Sequence, residues 1–122
     1  MVALHFRDLK CWQKARILSK EVYLATDSIR QFEMKDQLRR ASLSIMNNIA
    51  EGFGRKGLND KLRFYEYCTS SCYETESMTY LCEDLGLIET EQLFKIREMT
   101  VEVYRMIVAL SQSMKARHNS DN

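Results

Sequence analysis

The chain of 122 residues contains no proline and four glycines. An all-β sandwich or barrel spends both residue types at its many turns, so their scarcity excludes that class and favours long helices. Histidine occurs twice, as His5 and His118 near the two ends. No apolar run approaches the ~18 residues of a membrane span, and no signal-peptide pattern opens the chain. A cytoplasmic location with no membrane partner is the expectation. Neither sign of charge dominates: 18 Lys and Arg stand against 17 Asp and Glu, a net charge of +1. The distribution is uneven, since residues 1–58 hold 11 basic and 6 acidic side chains while residues 59–122 hold 7 and 11. A globally basic nucleic-acid binder is therefore excluded, and such a role requires a local patch or an assembly. Cysteine is sparse: Cys11, Cys68, Cys72 and Cys82. Pairing them into disulfides suits a secreted chain. Here they read as reduced core residues.

With 45% apolar and 29% charged residues, the composition is that of one soluble globular domain spanning 1–122. Periodicity divides it into four helices, at about 7–26, 34–55, 60–86 and 91–116, followed by a frayed polar tail at 117–122. The first carries Leu9, Trp12, Ala15, Leu18, Val22 and Ala25 on one stripe. The second has Leu38, Ala41, Ile45, Ile49 and Phe53 on one side. Ser42, Ser44, Ala50 and Gly52 keep it slim enough for a neighbour to approach closely. Gly52, Gly54 and Gly57 are expected to end it, with Asn59 as the N-cap of the third helix. The third helix has a broad stripe of Phe64, Tyr67, Met78, Leu81, Cys82 and Leu85. A second stripe holds Leu62, Tyr65, Tyr73 and Tyr80 on roughly the opposite side. A helix in a small monomeric bundle buries one stripe, so the tyrosine-rich surplus predicts a subunit or ligand interface. The fourth helix, with Thr90 as its expected N-cap, repeats Leu93, Ile96, Thr100, Val103, Ile107, Leu110 and Met114 at heptad spacing. Short connections make neighbours antiparallel, so the expected fold is an all-α, up-down-up-down four-helix bundle.

The bundle's di-iron chemistry needs inward Glu residues and a Glu-x-x-His motif, which this chain does not contain. Cys68-x-x-x-Cys72 has no second pair to complete a zinc site. No Cys or Ser has a His within a plausible catalytic arrangement. No metal, cofactor or catalytic residue is therefore expected, and the protein reads as non-enzymatic. The Gly52–Gly57 run has no preceding strand and fits no phosphate-loop fingerprint, which leaves a helix C-cap and turn. Arg55 and Lys56 within it can still meet a phosphate backbone. Arg7, Lys10, Lys14, Arg39 and Arg40 are further cations of the basic half, and together these seven are the candidate nucleic-acid contacts. Arg40, Ser44, Asn47, Glu51 and Arg55 also form a polar row along the second helix. It is open to two readings: a structural network with Glu51 and Arg55 paired at i,i+4, or a recognition strip. So few charges bind nucleic acid weakly on one subunit, and a ring of identical subunits would multiply them.

Several stretches together resemble a known family. Phe6-x-x-Leu9-x-x-Trp12-x-x-Ala15 is followed by Gln37-Leu-Arg-Arg-Ala41, Ser44-Ile-Met-Asn-Asn-Ile-Ala-Glu-Gly52 and Phe53-Gly-Arg55. Ser70-Ser-Cys-Tyr-Glu74 and Glu83-Asp-Leu-Gly86 come later. Over about residues 6–114 the chain is similar to the bacterial four-helix bundle family, whose founding members are encoded by intervening sequences within 23S rRNA genes. The resemblance implies a homopentamer and a role in binding RNA or DNA, with Arg40, Asn48, Glu51 and Arg55 as the polar motif. A distant group, the accessory proteins of diversity-generating retroelements, implies the alternative of a scaffold that holds a reverse transcriptase. Met46 stands where many members carry proline, and Ser70 where many carry glycine.

Overall fold

A computed structural model of the chain describes residues 2–121, which form four α-helices and no strand. A 3-10 turn, Phe6–Asp8, precedes α1 (Lys10–Thr26), α2 (Phe32–Gly54), α3 (Leu58–Asp84) and α4 (Thr90–Asp121). The protein is all-α. The first helix begins at Lys10 rather than near residue 7 because Leu9 is extended, at φ −77° and ψ 125°. In the turn before it, the Asp8 carboxylate accepts from the Leu4 and His5 amides. Asn59 is not the N-cap of α3. Gly57 holds that position with no side-chain bond. Thr90 is likewise the first residue inside α4, since the Glu89 carbonyl accepts from the Leu93 amide at 3.0 Å. Gly86 closes α3 at φ +64°, a left-handed conformation that favours glycine. The Gly86 and Leu87 amides return to the Glu83 and Cys82 carbonyls at 3.1 and 2.9 Å. The polar tail expected to fray is helical through Asp121, and Asn122 lies outside the described residues. No glycine or proline follows Gly86 to stop α4, and Lys115 and Arg117 suit the negative end of a helix dipole.

The pairs that touch across each junction run in opposite order along the two helices. Between α1 and α2, Ser19 donates to the Ser42 carbonyl at 3.3 Å and Arg39 Nε to Thr26 Oγ1 at 2.8 Å. Between α2 and α3, Ser44 meets Ser71 at 2.7 Å and Gly52 lies against Tyr65. Tyr73 meets Tyr104 at 3.2 Å, and Thr79 meets Arg97 at 2.9 Å, between α3 and α4. Two ion pairs, Lys14–Glu102 and Lys95–Glu21, each 3.2 Å, join α4 to α1. Inside, Leu18, Val22, Leu38, Ile45, Ile49, Val103 and Ile107 are fully buried.

The third helix departs most from its apolar pattern. Tyr67, Leu81 and Leu85, assigned to its core stripe, are exposed. Its buried face is instead small and polar: Cys68, Ser71, Cys72, Thr75, Thr79 and Cys82, with Phe64 and Tyr65 at the N-terminal end. The hydroxyls cost little inside because each has a partner, Ser71 across to Ser44 and the two threonines within the helix. Thr75 donates to the Ser71 carbonyl at 2.8 Å, and Thr79 to the Glu76 carbonyl at 2.6 Å. Small side chains there let α2 and α4 come close, which large apolar residues on that face would prevent. Tyr65, expected on an outer interface, is a core residue with 2% of its surface exposed.

All four cysteines are free and buried. Burial pushes the Cys11 thiol up to about 11 from 9.0 and the Tyr65 phenol up to about 12 from 10.0, the latter also by the nearby Cys11 and Cys68. Cys68 is raised by its hydrogen bond to Cys72 and then by burial, and Cys82 by burial. Each group keeps its proton in the folded chain at a pH where the unfolded chain has lost it. Their contribution to stability is therefore complete below pH 9.0 and is lost as the pH rises through about 11 and about 12. Urea midpoints measured upward from neutral pH are expected to hold until about pH 9 and then fall. A flat profile across that range would show that these groups do not couple to folding.

Candidate nucleic-acid interface

The opposed order of the helix contacts carries four separate segments to one end of the molecule. These are the N-terminal turn, the last turn of α2, the first turns of α3 and the last turns of α4. Residues 2–10, 51–67 and 112–120 hold eight Lys and Arg against four Asp and Glu. The opposite end, residues 21–36 and 83–98, holds four against nine. A chain of nearly zero net charge therefore folds into a rod with a basic end and an acidic end.

Of the seven candidate cations, the fold brings Arg7, Lys10, Arg55 and Lys56 to the basic end. All four are exposed, and none is ion-paired among the described residues. The other three lie elsewhere. Lys14 pairs with Glu102 on α4. Arg39 is committed to the end of α1: besides Thr26 it donates to the Tyr23 carbonyl at 3.1 Å and lies over the Tyr23 ring at 4.3 Å. Arg40 is 78% exposed and lies 3.9 Å from Asp36, a turn earlier on α2.

The basic end also gathers Lys61, Arg63, Lys115 and Arg117, which reading the charge by chain halves concealed inside an acidic stretch. Lys61 Nζ donates to the Phe53 and Gly52 carbonyls at 2.7 and 3.3 Å, capping α2, and loss of solvent around it lowers its pKa. By meeting the negative pole of α2 it leaves Arg55 and Lys56 less compensated by the helix dipole. The Arg55 and Arg63 guanidinium carbons lie 4.4 and 5.2 Å from the Phe64 ring centre. Arg63 also donates to Asp60 at 3.0 Å.

The polar motif of α2 does not form one network. Asn48 donates to the Ser44 carbonyl and hydroxyl at 2.8 and 2.9 Å, and Ser44 passes the chain on to Ser71 of α3. Arg40 and Arg55 have the separate partners described above. The expected Glu51–Arg55 ion pair is absent among the described residues, because the Arg55 guanidinium lies over Phe64 and its backbone has already left the helix, at φ −78° and ψ 150°. Ser71 is the partner that sequence reasoning missed. Its signals were a small polar residue inside a helix and its place in the Ser70-Ser-Cys-Tyr-Glu74 stretch.

On the other side of α3, Tyr73 and Tyr80 are 61% and 51% exposed, while Leu62 is half-buried. Tyr80 and Phe94 border an open groove of about 780 Å³ that reaches Ile17 on α1. Among the described residues no cluster of three or more His, Cys, Asp or Glu is arranged to hold a metal ion. No described helix is long and apolar enough to cross a membrane.

These features define a small four-helix protein with one end where basic side chains outnumber acidic ones. The chain belongs to the 23S rRNA-intervening sequence protein family, whose pattern it matches over residues 7–109. It is similar in fold to the crystal structure of a protein of unknown function from the S23 ribosomal protein family of Bacteroides thetaiotaomicron. The TM-score is 0.78 and the identity 19%, over 83% of this chain and 97% of that one. At that identity the likeness is one of fold. No curated protein matches the sequence.

Proposed function

We propose that this protein is a non-enzymatic, self-assembling helical bundle that binds the phosphate backbone of RNA or DNA through its basic end. The observation that carries the reading is the separation of charge along the bundle, with Arg7, Lys10, Arg55 and Lys56 exposed and without a carboxylate partner among the described residues. Cations without local counter-charges can release the counterions condensed on a polyanion, which is the main source of nucleic-acid affinity. The opposed helix contacts support an antiparallel up-down-up-down course. Family membership and the exposed Tyr73, Tyr80 and Phe94 surface support assembly as a homopentamer. A ring would present several basic ends to one polyanion and raise avidity without new contacts. Four unpaired thiols favour a reducing compartment, which is the cytoplasm.

Titration of the purified protein into labelled structured RNA and duplex DNA at two salt concentrations tests this. Micromolar or tighter binding that falls steeply with salt is the expected result. No binding at low salt would overturn the reading, and a monomer mass by light scattering would overturn the assembly.

A further inference from the structure

The basic end contains an aromatic element that backbone neutralisation does not use. Tyr67 is 47% exposed, on the turn of α3 that follows Phe64. Its ring stands edge-on to Phe64, with centres 5.6 Å apart and planes at 85°. Phe64 is almost fully buried, and the Arg55 and Arg63 guanidinium groups flank its ring. The Phe64 ring thus fixes three exposed groups relative to one another: two cations and one aromatic ring. No hydrogen bond to the Tyr67 hydroxyl occurs among the described residues. Tyr67 also lies about 120–140° around α3 from Tyr73 and Tyr80, at ~100° per residue. A subunit seated on those two tyrosines therefore leaves it open.

A duplex offers a protein phosphates and groove edges, and its base faces are stacked away. An unpaired strand offers base faces as well, and these stack on exposed aromatic rings. A fixed ring beside two guanidinium groups matches a nucleobase and its adjoining phosphates. We infer that the basic end is a site for an unpaired nucleic-acid strand, with a base stacked on Tyr67 and the flanking phosphates held by Arg55 and Arg63. This rests on the nucleic-acid reading above and narrows its ligand. Lys56, next to Arg55 and without an ion pair among the described residues, extends the cationic track. Stacking tolerates any base, so the site selects strandedness rather than sequence.

The test compares wild type, Tyr67→Ala and Tyr67→Phe by fluorescence anisotropy on labelled oligouridylate, oligothymidylate and an RNA duplex of equal length. Tyr67→Ala is expected to weaken binding to both single strands about tenfold and to leave duplex binding unchanged. Tyr67→Phe, which keeps the ring, is expected to bind single strands like wild type. The two single strands differ in the 2′-hydroxyl and in the thymine methyl group, and the loss in Tyr67→Ala is expected on both because each offers a base face. Equal losses on single strand and duplex would overturn the inference, as would an unaltered single-strand affinity in Tyr67→Ala. Binding of the wild type to duplex and single strands alike, with no Tyr67 effect on either, would overturn this inference alone. Failure to bind any of the three would overturn the parent reading with it.

Discussion

Gly52→Ala is expected to destabilise the fold by about 2 kcal/mol, and Gly52→Val by more. A Cβ at residue 52 falls 2.5 Å from Tyr65 Cε1, 2.9 Å from Cδ1 and 3.2 Å from Phe64 Cβ, closer than packed atoms tolerate. The Tyr65 ring has little freedom to yield, since it is buried at the α2–α3 crossing. Against this stands the gain of ~1 kcal/mol that alanine brings to a helix interior. The clash wins because the helices must separate or the ring must leave its rotamer. Gly54→Ala is the internal control. Its added Cβ meets nothing within 4 Å, so it is expected to be neutral or slightly stabilising. Urea midpoints for the two variants check the pair, and equal behaviour would show that the α2–α3 approach is not tight. A local shift at Gly52 also moves Phe64, and with it the seat of Arg55 and Arg63.

Arg55→Gln combined with Lys56→Gln is expected to lower affinity for any polyanion about tenfold and to flatten its salt dependence. Each phosphate contact contributes a slope of about 0.7 on single strands and about 0.9 on duplex in a plot of log affinity against log salt. Removing two contacts lowers the slope by about 1.4 to 1.8. Both side chains are exposed, so folding is expected to survive. Arg30→Gln with Lys35→Gln removes the same charge from the acidic end and is expected to change affinity little, because carboxylates outnumber cations there. Equal losses from the two double variants would mean that net charge, rather than the basic end, governs binding. Unlike Tyr67→Ala, the Arg55 and Lys56 changes act on duplex and single strand alike.

Where periodicity and burial agree, the sequence was enough. The stripe Ala15, Leu18, Val22 and Ala25, the stripe Leu38, Ile45 and Ile49, and the heptads from Leu93 to Ile107, apolar but for Thr100, keep helical spacing, and all are buried. Local chain physics fixes such segments as helices, and the absence of proline lets them run long. The closeness of α2 to its neighbour was legible too, in Ser42, Ser44 and Gly52. Helix α3 was not, because two of its faces carry large side chains. Which face turns inward is decided by what fits between α2 and α4. The fit selects Cys68, Cys72, Thr75 and Thr79, whose hydroxyls bond locally, and leaves Tyr67 and Leu81 outside.

The candidate site was legible only in part for a similar reason. Arg55 and Lys56 were legible as cations beside a turn, and both are exposed. Their company was hidden, since Arg7, Arg63 and Arg117 lie far apart along the chain and share an end of the bundle only through helix order. Arg39 and Arg7 are both plain arginines in a basic half. Only packing shows that one closes the end of α1 while the other faces water. Composition and spacing alone determined four helices and a reduced, buried set of thiols. Tertiary structure decided which face of α3 is core and which cations share an end. Those outcomes depend on contacts between distant segments, and no local pattern carries them.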